Sequence, residues 1–187
     1  MTPDAEHKSP AHGLNEAETR ALREVLDQLS PHVGRDLGAI FDHLENGGTM
    51  LSALGLPEGA VDVIYAQAYA RFNAGDIDRA RTLFEALVTL APDRQDHWLG
   101  LGICARRKDE HGAAQIAFDT ALALNPESPA AQFHRCELAC LTADWPTARK
   151  MAKGFVAAPD SAVRTGLAGE MNRLLALIEA RTGKPVK

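Results

Sequence analysis

The fold is decided by residues 95–128, QDHWLGLGICARRKDEHGAAQIAFDTALALNPES. Small and bulky residues recur in this stretch at helical spacing, which puts them on two stripes: Trp98, Leu101, Gly102 and Ala105 on the first, and Ala114, Phe118 and Ala121 on the second. We expect Gly102 and Ala114 to be small because two helix backbones approach closely there. Pro126 ends the second helix, because proline cannot continue a helix. The stretch therefore predicts a helix–turn–helix unit.

The order of these residues is that of one tetratricopeptide repeat, a helix–turn–helix unit with a characteristic spacing of small, aromatic and proline residues. The one departure is Ala105, where an aromatic residue is usual. A single unit of this kind cannot bury its own apolar face, so neighbouring units are expected. We therefore predict an all-α fold, in which the repeats stack into a superhelix.

Shifting the register by the length of one repeat predicts further repeats at 61–94 and 129–162. The earlier repeat keeps the small residue, the phenylalanine and the proline of the central one, at Ala80, Phe84 and Pro92. The later repeat matches more weakly and has Cys136 in the place of Gly102. A last amphipathic helix at 161–181 is predicted to cap the third repeat. The alternative is two unrelated helical hairpins on either side of a chance match.

Two further helices are predicted before the repeats, so that 14–56 forms an N-terminal helical segment and 57–181 the repeat domain. Residues 1–13 are polar and are expected to be disordered. One helix is predicted over 15–29 and another over 32–45, with Ser30-Pro31 as the stop and restart between them. These two helices carry more apolar side chains than they would need to cover the end of the first repeat. They predict self-association through Leu22, Val25, Leu29, Leu37, Ile40, Phe41 and Leu44.

Stacked repeats place their first helices along a concave groove. The positions predicted to face this groove are Tyr65, Tyr69, Phe72, Leu99, Ile103, Arg106, Phe133 and Glu137. Most of these side chains are apolar or aromatic, and an exposed patch of that kind marks an interaction site. The alternative is that the N-terminal helices fold over these residues as ordinary core. A groove that clamps acidic peptide C-termini would need Lys and Asn at the positions of Tyr65 and Tyr69, so an extended apolar peptide is the predicted ligand.

Composition restricts the classes of function. The chain has 187 residues, 45% of them hydrophobic, and a formal net charge of −5, which argues against nucleic acid as the main partner. No apolar stretch reaches the length of a membrane span, and the polar N-terminus does not resemble a secretory signal. Three cysteines in helical pattern favour a reduced cytoplasm. A soluble cytoplasmic protein is therefore expected.

The sequence contains no motif of an active site or a cofactor site. A phosphate-binding glycine loop, a nucleophile elbow and a His-Glu-x-x-His motif are all missing. His134, Cys136 and Cys140 are the one cluster that resembles a metal site, but on a helix His134 points away from the two cysteines. We therefore predict no catalytic residue, no metal and no cofactor.

Between residue 41 and about residue 156 the chain resembles the class II chaperones of type III secretion, which hold the pore-forming translocator proteins. The residues that carry the resemblance are Gly47-Gly48-Thr49, Tyr65, Ala68-Tyr69, Gly75, Ala80, Phe84 and Leu87, then Leu99-Gly100-Leu101-Gly102 with Cys104, and finally Ser128-Pro129, Phe133-His134 and Cys136-Glu137. Repeats of the general kind lack the Gly-Gly-Thr link and the Leu-Gly-Leu-Gly run. Two departures are Ile77, where an aromatic residue is frequent, and a longer N-terminal region.

The resemblance implies a bacterial cytoplasmic chaperone with three repeats and an N-terminal segment used in dimerisation. It also implies that the groove takes an extended N-terminal segment of a hydrophobic translocator, with pockets formed by Tyr65, Tyr69 and Phe72. The client would thereby stay soluble and unassembled before export. The alternative function is a general repeat scaffold in another bacterial assembly, or a regulator of secretion.

Overall fold

The computed structural model describes residues 15–57, 59–159 and 161–184, in which every regular element is a helix. The helices are α1 Glu16–Val33, α2 Leu37–Glu45, α3 Met50–Ala53, α4 Ala60–Asn73, α5 Ile77–Leu90, α6 Gln95–Arg107, α7 His111–Leu124, α8 Pro129–Leu141, α9 Trp145–Ala157 and α10 Ala162–Thr182. The all-α prediction is confirmed. The predicted disorder of 1–13 lies outside the described residues. The chain divides into two compact units, with the boundary between Ala60 and Val61.

In the first unit, α1 begins with a capping box formed by Asn15 and Glu18. The Asn15 side chain accepts a hydrogen bond from the Glu18 backbone at 3.0 Å, and the Glu18 carboxylate accepts one from the Asn15 backbone at 2.8 Å. These bonds satisfy two backbone donors that a helix N-terminus otherwise leaves unpaired. The start of α1 is therefore encoded locally.

The predicted break at Ser30-Pro31 is wrong, because α1 continues through Pro31 to Val33. Pro31 removes one backbone donor from the last turn, and the helix ends only at Gly34, where φ is 68°. Ser30 is not an N-cap. Its hydroxyl donates to the Leu26 carbonyl at 2.9 Å and accepts from the Leu37 backbone at 2.8 Å, so it joins the end of α1 to the start of α2.

The second unit consists of three helix pairs, α4–α5, α6–α7 and α8–α9, followed by α10. One backbone feature repeats with the period of the sequence. Gly75, Asp109 and Ala143 are each 34 residues apart and each adopts a positive φ, of 79°, 58° and 57°. In each pair this residue makes the turn between the two helices. The left-handed conformation costs about 1–2 kcal/mol for a residue with a Cβ, so the turn geometry is imposed by the packing of the helices on either side.

Small residues are required at Gly102 and Ala114, as predicted. At Gly102 the group that comes close is the aromatic ring of Phe118. Ala114 and Phe118 are fully buried. A Cβ on Gly102 would lie 2.5 Å from the Phe118 ring, so only glycine fits there. The spacing of small residues in the repeat therefore reports where phenylalanine rings lie across helices.

Two cysteines are fully buried in the second and third repeats. Burial raises the pKa of Cys104 to about 11. Contact with Cys140 and burial raise the pKa of Cys136, whose thiol donates to the Ala148 carbonyl at 3.4 Å. Both behave as small core residues rather than as reactive thiols.

Helix α10 covers the third repeat. Its Met171 and Ile178 are buried, and they belong to one core cluster with Phe133 and Phe155. This is the arrangement expected of a helix that shields the apolar face of a terminal repeat from water.

Candidate functional site: an apolar groove pocket

Helices α4, α5 and α6 enclose a pocket of about 150 Å³ on the second unit. We call it the groove pocket, and its walls are Tyr65, Tyr69, Phe72, Phe84, Asp96, Leu99, Gly100 and Ile103. Five of the residues predicted to face the groove meet here: Tyr65, Tyr69, Phe72, Leu99 and Ile103. Apart from the Asp96 carboxylate and two tyrosine hydroxyls, its side chains are apolar. The pocket therefore suits an apolar side chain of a ligand.

Tyr65 and Tyr69 are four residues apart on α4 and play different parts. The Tyr65 ring lies edge-on to the Phe84 ring, with 6.1 Å between the centroids, and 5.8 Å from the His97 ring. Burial, and then the Asp96 carboxylate, raise the pKa of the Tyr65 hydroxyl, so it stays a neutral donor. Tyr69 is 56% exposed and therefore forms the solvent-accessible wall of the pocket.

Sequence reasoning missed Phe84 and Gly100 as groove residues, because Phe84 was assigned to the repeat core alone. A Cβ on Gly100 would lie 2.2 Å from the Phe84 ring. The ring therefore rests on the α6 backbone and forms the base of the groove pocket. The signal that could have revealed this is Gly100, the first glycine of the Leu-Gly-Leu-Gly run, since the repeat pattern requires only Gly102.

Phe72 forms one end of the groove pocket and is covered by a cation. The Arg107 guanidinium lies over its ring, 4.4 Å from the centroid. Such an arrangement attracts the charge to the negative face of the ring. The apolar pocket is thus bordered by a positive charge.

Arg106 and Glu137, also predicted to face the groove, pair with each other between α6 and α8. Arg106 Nη1 lies 3.1 Å from Glu137 Oε1, and His134 Nδ1 lies 3.3 Å from Glu137 Oε2. Burial favours protonation of Glu137, but the His134 hydrogen bond and the Arg106 charge outweigh it, so the pKa of Glu137 is lowered. We call Arg106, His134 and Glu137 the polar cluster.

Phe133 does not line an open groove, and this prediction is wrong. The side chain is only 5% exposed and packs in the core cluster with Met171 and Ile178 of α10. The repeat position is the same as that of Tyr65 and Leu99. It is closed here because the capping helix packs across it.

The apolar stripe predicted for self-association is exposed on α1, where Leu22, Val25 and Leu29 are 36%, 49% and 46% exposed. The four predicted positions on α2, Leu37, Ile40, Phe41 and Leu44, are half-buried. The role of this stripe in a dimer stays a prediction.

The suspected metal cluster does not assemble. His134 is engaged with Glu137, and Cys136 with a backbone carbonyl. In the part of the chain that the structure describes, no three His, Cys, Asp or Glu side chains converge as a metal site would require. Among the same residues, none of the helices combines the length and apolarity needed to cross a membrane.

Comparison with known proteins supports the repeat fold. Residues 65–129 match the tetratricopeptide repeat family. The fold superposes on a type III secretion complex from Aeromonas hydrophila with a TM-score of 0.69, at 20% identity, over 78% of this chain and 97% of that chain. Residues 65–129 are therefore similar to tetratricopeptide repeats, and the fold is similar to that of this secretion complex.

The similarity extends to translocator chaperones of type III secretion. PcrH bound to the chaperone-binding region of PopD superposes with a TM-score of 0.61 at 25% identity, over 68% of this chain and 96% of PcrH. SycD of Yersinia enterocolitica bound to a peptide of the translocator YopD gives 0.61 at 18%, over 67% and 96%. SycD has also been solved as an alternative dimer.

Curated relatives agree with this resemblance. The chaperone SicA of Salmonella typhimurium is 31% identical over 78 residues, which are 41% of this chain and 47% of SicA, so the match spans about half the length of that relative. Low calcium response locus protein H of Yersinia pestis is 23% identical over 142 residues, 76% of this chain and 83% of that protein. The resemblance seen in the sequence is confirmed.

Proposed function

We propose that this protein is a bacterial cytoplasmic chaperone that binds an extended, apolar segment of a secreted translocator protein in its concave groove. The observation that carries the proposal is the groove pocket, with the exposed Tyr69 ring as its outer wall and the Phe84 ring as its base. Aromatic side chains supply large contact areas with few torsions to fix, so such a pocket anchors an apolar side chain at low entropic cost.

The relatives support this choice of ligand. Of the structures similar in fold, SycD is bound to a peptide of the translocator YopD, and PcrH is bound to the chaperone-binding region of PopD. A translocator segment that later enters a membrane is apolar and would aggregate alone in water. Covering it in the groove keeps the client soluble until export. Binding of this kind needs no catalysis, nucleotide or metal.

Self-association through α1 is a second part of the proposal. Leu22, Val25 and Leu29 follow one another at spacings of three and four residues, so they share one face of the helix, and all three are exposed. SycD, a structural relative, has been solved as a dimer. Replacing the three residues with Ser should shift the protein towards monomer in sedimentation velocity at tens of micromolar. A wild-type chain that is monomeric at that concentration would refute this part alone.

The test of client binding is co-expression with the secreted proteins encoded nearby, followed by affinity capture. The wild type should recover hydrophobic translocators, and the Tyr65→Ala/Tyr69→Ala variant should lose them. The matched control is Ile116→Ala, which removes a side chain that is 67% exposed on α7, away from the groove pocket. Recovery of soluble secretion machinery in place of translocators would favour a general scaffold and contradict the proposal.

A further inference from the structure

The groove pocket lies between two opposite charges on one stripe of α6. Asp96, Leu99, Ile103 and Arg107 follow at spacings of three and four residues, so they share one face of the helix. Asp96, Leu99 and Ile103 line the pocket, and Arg107 covers its Phe72 wall. Moving along α6 through the groove, a ligand therefore meets an acid, then an apolar pocket, then a base.

Neither of these two charged side chains, Asp96 and Arg107, is paired with an opposite charge among the described residues. At the acidic end, Asp62 and Arg94 pair at 2.9 Å, while Asp96 has no basic partner among the described residues. At the basic end, Arg106 pairs with Glu137 and Lys108 with Asp78. Arg107 has only the Phe72 ring, and none of the described carboxylates lies within ion-pair distance of it. Each end thus keeps one uncompensated charge facing the ligand site.

We propose, resting on the chaperone function above, that this charge pair selects and orients the client. The bound segment would carry a basic residue at the Asp96 end and an acidic residue at the Arg107 end, with apolar residues between them. The two α6 positions are eleven residues apart, or about 16 Å along the helix axis. An extended chain advances about 3.3 Å per residue, so the two client charges should be about five residues apart.

The energetic reasoning favours selectivity over raw affinity. An exposed ion pair contributes about 0.2–1 kcal/mol, which is up to about fivefold in affinity. Like charges at the same places are unfavourable, so a client with reversed charges must bind in the other direction or bind more weakly. The apolar pocket therefore supplies most of the affinity, and the charges set direction and choice of client.

Helix electrostatics offers a different reason for the same residues. An acid near the start of a helix and a base near its end stabilise the helix dipole, whatever the ligand. Lys108→Glu is the matched control for this effect, since Lys108 is the next residue after Arg107 but lies off the pocket stripe and pairs with Asp78. A ligand effect must separate Arg107→Glu from Lys108→Glu, whereas a dipole effect would not.

The experiment selects a displayed library of random dodecapeptides on the full-length wild type and on three variants: Tyr65→Ala/Tyr69→Ala, Arg107→Glu and Lys108→Glu. Thermal melts verify that each variant is folded. Wild type and Lys108→Glu should enrich apolar peptides with Lys or Arg on one side and Asp or Glu about five residues away. Arg107→Glu should replace the acidic preference with a basic one.

The strongest selected peptide is then synthesised with its acid and with Gln in that place, and titrated into wild type and Arg107→Gln. The acid should improve binding to the wild type by about threefold to fivefold and leave Arg107→Gln unaffected. Apolar enrichment without a charge pattern would overturn this inference and leave the chaperone proposal standing. Enrichment that is insensitive to the loss of both tyrosines would contradict the chaperone proposal, and this inference with it.

Discussion

The surface formed by the first helices of the repeats differs between its two halves although the repeat positions are the same. Between the first and second repeats the surface is open and apolar, with Tyr69 56% exposed at the groove pocket. Between the second and third, Glu137 occupies the position equivalent to Tyr69 and is held by Arg106 at 3.1 Å. Phe133, equivalent to Tyr65, is only 5% exposed. A repeat position therefore does not determine exposure, because exposure depends on what packs across it.

The difference assigns separate tasks to the two halves. The open half can accept a ligand side chain, whereas the closed half ties the second repeat to the third and to α10. Substitutions at equivalent positions should consequently separate stability from binding.

Phe133→Ala should lower the free energy of unfolding by about 3–5 kcal/mol, the usual cost of removing a buried phenylalanine. The ring is buried in the core cluster that also contains Met171 and Ile178 of α10, so its loss leaves a cavity in that core. Urea denaturation followed by circular dichroism measures the change. A loss below about 1 kcal/mol would mean that Phe133 belongs to the open half after all.

Tyr65→Ala with Tyr69→Ala should weaken the binding of a synthetic client peptide by about a hundredfold. Anchors of this kind cost about 2 kcal/mol or more when truncated, and about 1.4 kcal/mol corresponds to one decade. Calorimetric titration gives the affinity, and a thermal melt of the same samples reports folding. Tyr69→Ala alone separates the two effects, because Tyr69 is exposed while Tyr65 contacts Phe84. Unchanged affinity in the double variant would exclude the groove pocket as the binding site.

Ala114→Leu should destabilise the second repeat by about 1–3 kcal/mol through overpacking. Ala114 is fully buried in one cluster with Phe118, and both halves of the surface formed by the first helices depend on this repeat. The denaturation midpoint should fall, whereas the same change at the exposed Ala113 should leave it nearly unaltered. Equal midpoints for the two variants would contradict the repeat register.

Glu137→Gln should cost on the order of 1 kcal/mol at neutral pH, because it removes the charged partner of Arg106 and His134. The folded protein holds the pKa of Glu137 below its usual value. Its carboxylate therefore stabilises the fold above the pKa of an unfolded glutamate, about 4.3, and this contribution is lost as the pH falls through the lower folded pKa. Denaturation at pH 7 and at pH 3 measures the free energy of unfolding of wild type and variant, and the difference between them should be smaller at pH 3. A larger difference at pH 3 would contradict this prediction.

The repeats could be predicted from sequence because their signals are local and periodic. Small residues mark where rings lie, and the rings themselves recur one repeat apart, as Phe84 and Phe118 do. The turn at Ala143 could not be predicted, since alanine does not favour a positive φ and adopts it here under the constraint of the adjoining helices.

Other features escaped prediction because they depend on distant residues. The burial of Phe133 requires α10, which follows it by about thirty residues, and no local pattern around Phe133 reveals that contact. The continuation of α1 through Pro31 was missed for another reason: the Ser-Pro signal is shared by helix starts and by last turns, and only Gly34 marks the end. Five residues that line the groove pocket were among the predicted groove residues, whereas Phe84 at its base was not.

The buried cysteines allow the solenoid to be followed chemically without any introduced label. Cys104 lies in the second repeat and Cys136 in the third, and neither thiol reaches solvent in the folded chain. Alkylating reagents attack thiolates, so each cysteine reacts only when its own repeat opens. Neighbouring repeats are coupled only through their interfaces, so the two rates need not agree. Mass spectrometry after a reagent pulse would read both sites in one sample and show from which end the stack frays, and whether an occupied groove slows that opening.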